Sequence, residues 1–281
     1  MKVRSASLLA MGLLAACAPG NPFFGGGGGG GTIAPALEGV PASLSKNLTA
    51  VSYDAGAGTL VVQVTALDAS VLQASYVRTP GLDVSGFEAY TMQETTLNRS
   101  FIALFAENPR GNLIAGVVAD GGQFNRYYGG GAYSQIDVYS APGAGGLANF
   151  IGSYAGVTNF NPLGGLSPGR TSGDVTFIAD FTDMVVNGAI ENRILIDDGS
   201  ALVDVIMPAT ALAADGSFLG GTEYLNLQSS GVYGGAFGGV GATDVAGILV
   251  FKPIEGTPDI EEIGVFLLAQ CGTAGDDPAC P

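Results

Sequence analysis

The chain contains no histidine and no tryptophan, and it has only 10 Lys and Arg residues against 25 Asp and Glu residues. The lack of histidine excludes a Ser-His-Asp triad, an imidazole zinc site and a histidine-ligated haem. The formal net charge of −15 also disfavours nucleic acid as a partner, because phosphates are bound by clusters of Lys and Arg. The composition therefore predicts neither a nucleic-acid-binding protein nor a histidine-dependent enzyme.

The first 17 residues have the pattern of a bacterial export signal. Lys2 and Arg4 precede an apolar run from Leu8 to Ala16, which is too short to span a bilayer as a helix. The run ends in Leu-Ala-Ala followed by Cys17, which resembles the lipobox of bacterial lipoproteins. In that family the peptide is cut before the cysteine, which is then acylated with fatty acids such as palmitate. The resemblance implies a signal peptide over residues 1–16 and lipidation at Cys17; the alternative is an ordinary secretory signal that ends in a chance cysteine.

Residues 17–40 are predicted to be a tether to the membrane. The unbroken glycine run Gly25–Gly31 cannot pack, and a Gly-rich chain is a flexible coil, so about fifteen such residues hold a domain some 20 Å from a bilayer. A phosphate-binding glycine loop would instead follow a strand and open a helix. In lipoprotein families an aspartate after the lipidated cysteine favours retention in the inner membrane. Ala18 stands there, which implies the outer membrane and predicts exposure at the cell surface.

The remaining chain is predicted to be all-β, with a smaller β-rich region over residues 41–140 and an eight-stranded barrel over residues 141–281. No segment shows sustained helical periodicity, whereas period-2 runs recur between turns rich in Gly, Asp, Asn and Pro. Eight near-regular strands favour an antiparallel up-and-down barrel, which leaves no exposed sheet edge. The eight predicted barrel strands are Phe150–Thr158, Gly173–Phe181, Met184–Ile196, Leu202–Met207, Ser217–Leu227, Gly231–Gly238, Val245–Phe251 and Ile263–Gln270.

Two segments resemble the barrel of transferrin-binding protein B. One is VTFIADFTDMVVNGAI at residues 175–190, and the other is GGAFGGVGATDVAGILVF at residues 234–251. The resemblance covers roughly residues 150–270, although Gly238-Gly239 follows Phe237 where the family has Gly-Pro or Gly-Asn. The family includes the factor-H-binding lipoprotein and several haem- or haemoglobin-binding surface lipoproteins. It implies the barrel fold and a binding function, but these motifs belong to the scaffold and do not identify a ligand.

The segment Asp120–Tyr133 reads as a loop and is the predicted binding surface. Tyr and Arg are favoured at interface hot spots because they offer a large contact area. The alternative is that the aromatic residues cover one end of the barrel while the arginine pairs with a carboxylate. The predicted contact residues are Gln123, Phe124, Arg126, Tyr127, Tyr128 and Tyr133, with Asn125 beside them.

The other candidate sites are a disulfide and weakly supported metal sites. Cys271 and Cys280 form an even pair in an exported chain and are predicted to be disulfide-bonded, the alternative being two free thiols. Tyr127 or Tyr128 as a haem ligand has no support beyond the family association. The aspartates at 197–198 and 276–277 lack the oxygen spacing of an EF-hand loop, so solvated turns are the favoured interpretation. No metal and no cofactor is predicted.

These observations predict an outer-membrane lipoprotein that binds a protein or small ligand through barrel-end loops and is not an enzyme. Two alternatives remain open at this point. One is a structural or envelope-interaction lipoprotein without a soluble ligand. The other is a carboxylate-dependent hydrolase, because such chemistry needs only Asp and Glu side chains.

Overall fold

A computed structural model of the chain describes residues 37, 39–65, 71–93, 100–120, 127–161 and 167–281. They belong to one compact unit, Gly31–Pro281. The signal peptide, Cys17 and the glycine run lie outside the described residues. Helix is confined, in the described ranges, to α1 (Ala42–Ser45) and a 3-10 turn at Pro80–Leu82. Neither is long and apolar enough to cross a membrane.

Seven antiparallel strands form the first sheet, each paired with the next in the sequence. The backbone N–H of Asn47, just before the first strand, donates to the carbonyl oxygen of Gly129 in the last, at 3.0 Å, so the sheet is nearly closed. The strands are β1 (Leu48–Asp54), β2 (Thr59–Thr65), β3 (Val71–Arg78), β4 (Glu88–Met92), β5 (Phe101–Glu107), β6 (Leu113–Asp120) and β7 (Gly129–Gln135).

The second sheet closes into the predicted eight-stranded barrel. Consecutive strands pair in antiparallel fashion, the last pairs with the first, and a short extra strand, β11 (Ser200–Ala201), pairs with β10. The all-β prediction, with its barrel and preceding β region, is confirmed. The barrel strands are β8 (Leu147–Thr158), β9 (Gly169–Asp180), β10 (Val185–Leu195), β12 (Val205–Ala211), β13 (Ser217–Glu223), β14 (Ser229–Gly238), β15 (Asp244–Phe251) and β16 (Glu262–Ala269).

Aromatic side chains fill the barrel interior. Successive residues of a strand point to opposite faces, and β9 shows this as strict alternation between buried and more exposed positions. The ring of Phe237 lies 5.4 Å from Phe150 and 5.8 Å from Phe218, while Phe177 lies 5.4 Å from Phe266. An eight-stranded barrel is just wide enough for such side chains. Most of this barrel is therefore a packed core with no room for a ligand.

The outer face of the barrel is buried against the first sheet along four strands. Ile248 and Val265 on the barrel pack with Leu104 and Val117 of the first sheet in one apolar cluster. Strands β6 and β15 are consequently buried at every position, and apart from Asp120 and Asp244 at their ends they contain only apolar residues and glycine. This apolar cluster holds the two sheets together and is separate from the core inside the barrel.

Strand β7 corrects the interpretation of Asp120–Tyr133 as a loop. Gly129, Gly130 and Gly131 are strand residues because the backbones at this position approach too closely for a side chain. A β-carbon on Gly130 would lie 1.8 Å from the carbonyl oxygen of Ser45, and one on Gly131 would lie 2.2 Å from Cγ2 of Ile248. The glycines thus allow β7 to fit between the segment around α1 and the barrel wall.

The molecule has two distinct ends. Residues 39–47 run antiparallel to β7. The carbonyl oxygen of Gly39 accepts a hydrogen bond from the hydroxyl of Tyr133, late in β7, and the N–H of Asn47 donates to the carbonyl oxygen of Gly129, at its start. We call the end of the barrel at which β7 finishes the near end, and the opposite one the far end. Barrel turns at the near end span residues 181–184, 212–216 and 239–243, whereas far-end connections span residues 159–168, 196–204, 224–228 and 252–261.

Replacing Gly130 by alanine tests the fit of β7. Because the new β-carbon would meet backbone and not a movable side chain, we expect a loss of about 1–3 kcal/mol in the free energy of unfolding. Gly143 is the control, since it is exposed and a β-carbon there meets nothing within 4 Å. Urea unfolding followed by circular dichroism measures both. Equal stability of G130A and G143A would contradict the close approach.

Candidate binding surface at the far end of the barrel

A fully buried ion pair lies inside the barrel at its far end. Nη2 of Arg193 in β10 is 2.6 Å from Oε2 of Glu262 in β16, and both side chains have 0% exposure. The other carboxylate oxygen, Oε1, accepts hydrogen bonds from the hydroxyls of Tyr154 and Thr171, each at 2.7 Å. The guanidinium carbon of Arg193 lies 4.8 Å from the centre of the Phe251 ring. Five strands therefore contribute to one buried network.

An irregularity in β10 turns Arg193 inward. The pairing of β9 with β10 shifts register between Glu191 and Ile194, and Asn192 adopts a left-handed φ of 52°. Such a bulge changes the face to which the following residue points. The sequence pattern does not reveal this pair, because Met184–Ile196 reads as an ordinary strand. The available signal was the polar triplet Glu-Asn-Arg within it.

An ion pair and a tyrosine lie against this end of the barrel. Lys46 forms an ion pair with Glu261 and lies 5.6 Å from the centre of the Tyr127 ring. The Tyr127 hydroxyl donates to the carbonyl oxygen of Val157 at 3.0 Å. Burial raises the pKa of Tyr127 well above its usual value, and Glu261 adds to the effect. Tyr127 is therefore a neutral, half-buried residue that joins the β6–β7 connection to the barrel.

The structure separates the residues predicted for binding. Tyr128 is half-buried and its backbone N–H donates to Asp120 at 2.9 Å. Tyr133 lies in the core between the sheets with 7% exposure, and burial raises its pKa to about 12. Gln123, Phe124, Asn125 and Arg126 lie outside the described residues. Of the predicted residues that the structure describes, Tyr127 is the one placed against the far end of the barrel.

The turn between β13 and β14 presents two leucines to solvent. Leu225 is 66% exposed and Leu227 is 72% exposed. The turn is well fixed, since the Tyr224 hydroxyl donates to the carbonyl oxygen of Lys252 at 2.8 Å and Leu227 N donates to the Tyr224 carbonyl at 2.9 Å. Leu227 also adopts a φ of 66°, a strained value for a bulky residue. The sequence pattern predicts a strand over Ser217–Leu227 that includes both leucines, whereas β13 ends at Glu223.

The leucine turn and the neighbouring β15–β16 connection carry carboxylates, together with the exposed Lys252. Glu223 precedes the turn, Glu255 accepts a hydrogen bond from Asn226 at 3.0 Å, and Asp259 lies on the neighbouring β15–β16 connection. An exposed apolar tip with an acidic border suits a protein partner that offers an apolar pocket edged by basic residues. We call residues 223–228 with Glu255 and Asp259 the leucine turn surface.

The buried carboxylates have structural partners. Glu262 pairs with Arg193, Asp244 pairs with Arg110, and Asp120 accepts the Tyr128 N–H. No group of three or more Cys, Asp or Glu residues within the described ranges is arranged to hold a metal ion.

The predicted disulfide between Cys271 and Cys280 is confirmed, with a Cα–Cα distance of 5.4 Å. It closes a loop that follows β16 at the near end of the barrel.

Replacing Glu262 by glutamine tests the buried pair. The change leaves the Arg193 charge buried without a counter-charge, so we expect a loss of about 3–5 kcal/mol in the free energy of unfolding. Glu191→Gln makes the same chemical change at an exposed position nearby and should alter stability by less than about 0.5 kcal/mol. Denaturant unfolding compares the two variants. A small effect for E262Q would contradict a tightly coupled pair.

The buried tyrosines predict a loss of stability at alkaline pH. Burial raises the pKa of Tyr127, Tyr133 and Tyr154 in the folded state, whereas tyrosines of the unfolded chain ionise near pH 10. The stabilisation that comes from keeping these tyrosines neutral is therefore fully present below about pH 10, and it is lost as the pH rises above that value. Without histidine, stability should be nearly constant from about pH 6 to pH 9. Urea midpoints from about pH 6 to about pH 11, with tyrosinate absorbance, test both statements. A transition near pH 7, or constant stability above about pH 10, would contradict them.

No protein-family model matches the sequence, and no curated protein matches it. Several solved structures are similar to the chain. The intact transferrin-binding protein B Ap-TbpB, with N and C lobes, is 11% identical over 80% of this chain and 55% of that chain, with a TM-score of 0.43. The isotype 1 protein from serogroup B Neisseria meningitidis is 12% identical over 79% of this chain and 52% of that chain, with a TM-score of 0.38. This chain therefore spans about half the length of these two proteins.

The apo haemoglobin receptor HpuA from Kingella denitrificans is 9% identical over 89% of this chain and 98% of that chain, with a TM-score of 0.44. The resemblance to a transferrin-binding protein B-like barrel is confirmed at the level of the fold, as a closed eight-stranded barrel with a nearly closed seven-stranded sheet.

Proposed function

We propose that the chain is a surface lipoprotein of the bacterial outer membrane that binds a protein ligand, without catalysis, at the far end of its barrel. The observation that carries this proposal is the path of residues 39–47. They run toward the far end, so a membrane tether before residue 39 would join the domain on the near-end side. The longer connections and the leucine turn surface would then face away from the membrane.

The anchor in this proposal is the acylated Cys17, exposed by removal of residues 1–16. Of the predicted tether, residues 17–40, the part before Leu37 would act as the flexible link, since Leu37 and Val40 pack against the folded part and the Gly39 carbonyl accepts the Tyr133 hydroxyl. Residues 41–140 and 141–281 would form the two β regions. Removal of Lys2 and Arg4 with the signal changes the formal charge from −15 to −17. This charge would repel anionic headgroups and keep the folded part off the membrane surface.

The ligand class follows from the leucine turn surface. Burying one leucine side chain contributes about 1.5–3 kcal/mol, so two rigidly held leucines can act as an anchor at the centre of a protein interface. The β6–β7 connection would add contacts from Gln123, Phe124, Arg126, Tyr127 and Tyr128. A proteinaceous ligand agrees with the structural neighbours, since HpuA has been solved in complex with human haemoglobin.

Cysteine labelling of intact cells tests the location. Leu225→Cys introduces a thiol at a 66% exposed site in a chain whose other cysteines are Cys17 and the pair Cys271–Cys280. A membrane-impermeant maleimide should label this variant on whole cells to the same extent as on permeabilised cells. A lipoprotein cysteine known to face the periplasm is the control and should be labelled only after permeabilisation. Protection of L225C in whole cells would overturn the surface receptor and favour a periplasmic scaffold.

Ligand capture tests the leucine turn surface separately. Serum proteins retained by the immobilised wild-type chain should be lost with L225S/L227S, because each serine removes an apolar contact; binding should weaken at least about tenfold. Val240→Ser alters an equally exposed aliphatic residue at the near end, with 81% exposure, and should retain the same proteins. Equal retention by both variants would place the binding surface elsewhere.

A further inference from the structure

The exposed apolar surface of the far end extends beyond the leucine turn. Ile194, at the end of β10, is 41% exposed, and Val203, just before β12, is 49% exposed. Leu225 and Leu227 follow β13. We call these four residues the aliphatic row. Isolated exposed aliphatic residues are common on protein surfaces, whereas a contiguous group of them marks a surface for interaction.

The strand pairing makes the row continuous. The register of β12 with β13 at Ile206–Glu223, continued toward the far end, sets Val203 opposite the leucine turn. On the other side of β12, the guanidinium of Arg193 donates to the carbonyl oxygen of Val203, which brings Ile194 to the same edge. The strand order is β10, β12, β13. The row therefore crosses two strand spacings, or about 10 Å.

Carboxylates lie on both sides of the row. Glu191, Asp204 and Glu223 lie along the same strands on the side toward the near end, and Asp198 and Glu255 lie on far-end connections beyond the row. All five are exposed or half-buried. None of them belongs to an ion pair between residues that the structure describes. Two lines of negative charge thus border the apolar surface.

The described basic side chains at this end do not cancel that charge. Lys46, Arg170 and Arg193 are each engaged in an ion pair with a carboxylate elsewhere at the far end. Lys252 is exposed, and its ammonium group donates to the carbonyl oxygen of Pro258. The charge that is left to meet a partner is therefore mainly negative.

We propose that the aliphatic row binds a basic amphipathic helix of the protein ligand. The helix would lay its apolar face across the row, and Lys or Arg residues on both flanks of that face would reach the two lines of carboxylates. Lysine suits such a position, because its alkyl stem lies along apolar surface while the ammonium group extends to a charge. Anionic lipid headgroups would be repelled. This inference rests on the far-end function proposed above and names the class of ligand.

Calorimetric titration of the full chain in a nonionic detergent with a synthetic leucine–lysine amphipathic helix tests the proposal; the heat of the same titration into detergent alone is subtracted. The helix should bind. A peptide with glutamate in place of lysine, and one with the leucine–lysine composition in scrambled order, should each bind at least about tenfold more weakly. The first reverses the charge, and the second has no continuous apolar face.

A pair of double variants tests the apolar part of the row. Ile194→Ser with Val203→Ser leaves the leucine turn intact and should weaken helix binding at least about tenfold, because two aliphatic contacts are lost. Val138→Ser with Val240→Ser makes the same kind of change at near-end positions that are 82% and 81% exposed, and should bind like the wild type.

A second pair tests the carboxylates. Asp204→Asn with Glu223→Gln should weaken helix binding about threefold or more, because two charge pairs with the helix are lost. Asp137→Asn with Asp183→Asn removes two exposed charges at the near end and should have no effect.

The thermal midpoint of each variant shows that it is folded. Equal binding by I194S/V203S and V138S/V240S, or equal binding of the lysine and glutamate peptides, would overturn the proposal. If the helix does not bind while serum proteins are still lost with L225S/L227S, the basic helix is wrong and the far-end binding surface stands.

Discussion

The apolar outer face of the barrel is the constraint on which the rest of this structure depends. A barrel strand with one face to the interior and one to water should alternate, yet β15 is buried at every position. Its outward-facing residues, such as Ile248, stabilise the fold only where another layer of structure shields them from water. Strands β5 to β7 of the first sheet supply that layer. The requirement for cover fixes where the first sheet lies. It also explains why Gly131 of β7 faces the barrel, where a side chain would meet Ile248.

This arrangement leaves the two ends of the barrel with different roles. Near-end turns are short, and the aromatic cluster around Phe237 fills the interior there. At the far end the interior carries the Arg193–Glu262 pair, which costs desolvation free energy and holds several strands in one geometry. The strained φ of Leu227 adds a further local cost. Such costs are typical of positions selected for something other than stability.

Much of the fold could be predicted from the sequence, because the barrel strands are alternating or continuous apolar runs that end at clear turn residues. Strand β7 could not, since Gly129-Gly130-Gly131 has no side chains in which a period can be seen; the reason for these glycines is a contact with Ser45 and Ile248, which are distant in sequence. Arg193 was missed because a bulge changes its face, and Leu225 because an exposed leucine reads like a strand residue. Local sequence patterns predict individual strands and turns, whereas these features depend on which strands and turns contact one another in the folded chain.

The most direct test is the distance of each barrel end from the membrane. The lipidated chain in vesicles carries a donor fluorophore on Leu225→Cys or Val240→Cys, and an acceptor dye is placed in the lipid headgroups. Strands of this length separate the two ends by about 30 Å at roughly 3.3 Å per residue. We predict strong energy transfer from the near-end V240C and weak transfer from the far-end L225C. Equal transfer, or stronger transfer from L225C, would contradict a domain that presents its far end away from the membrane.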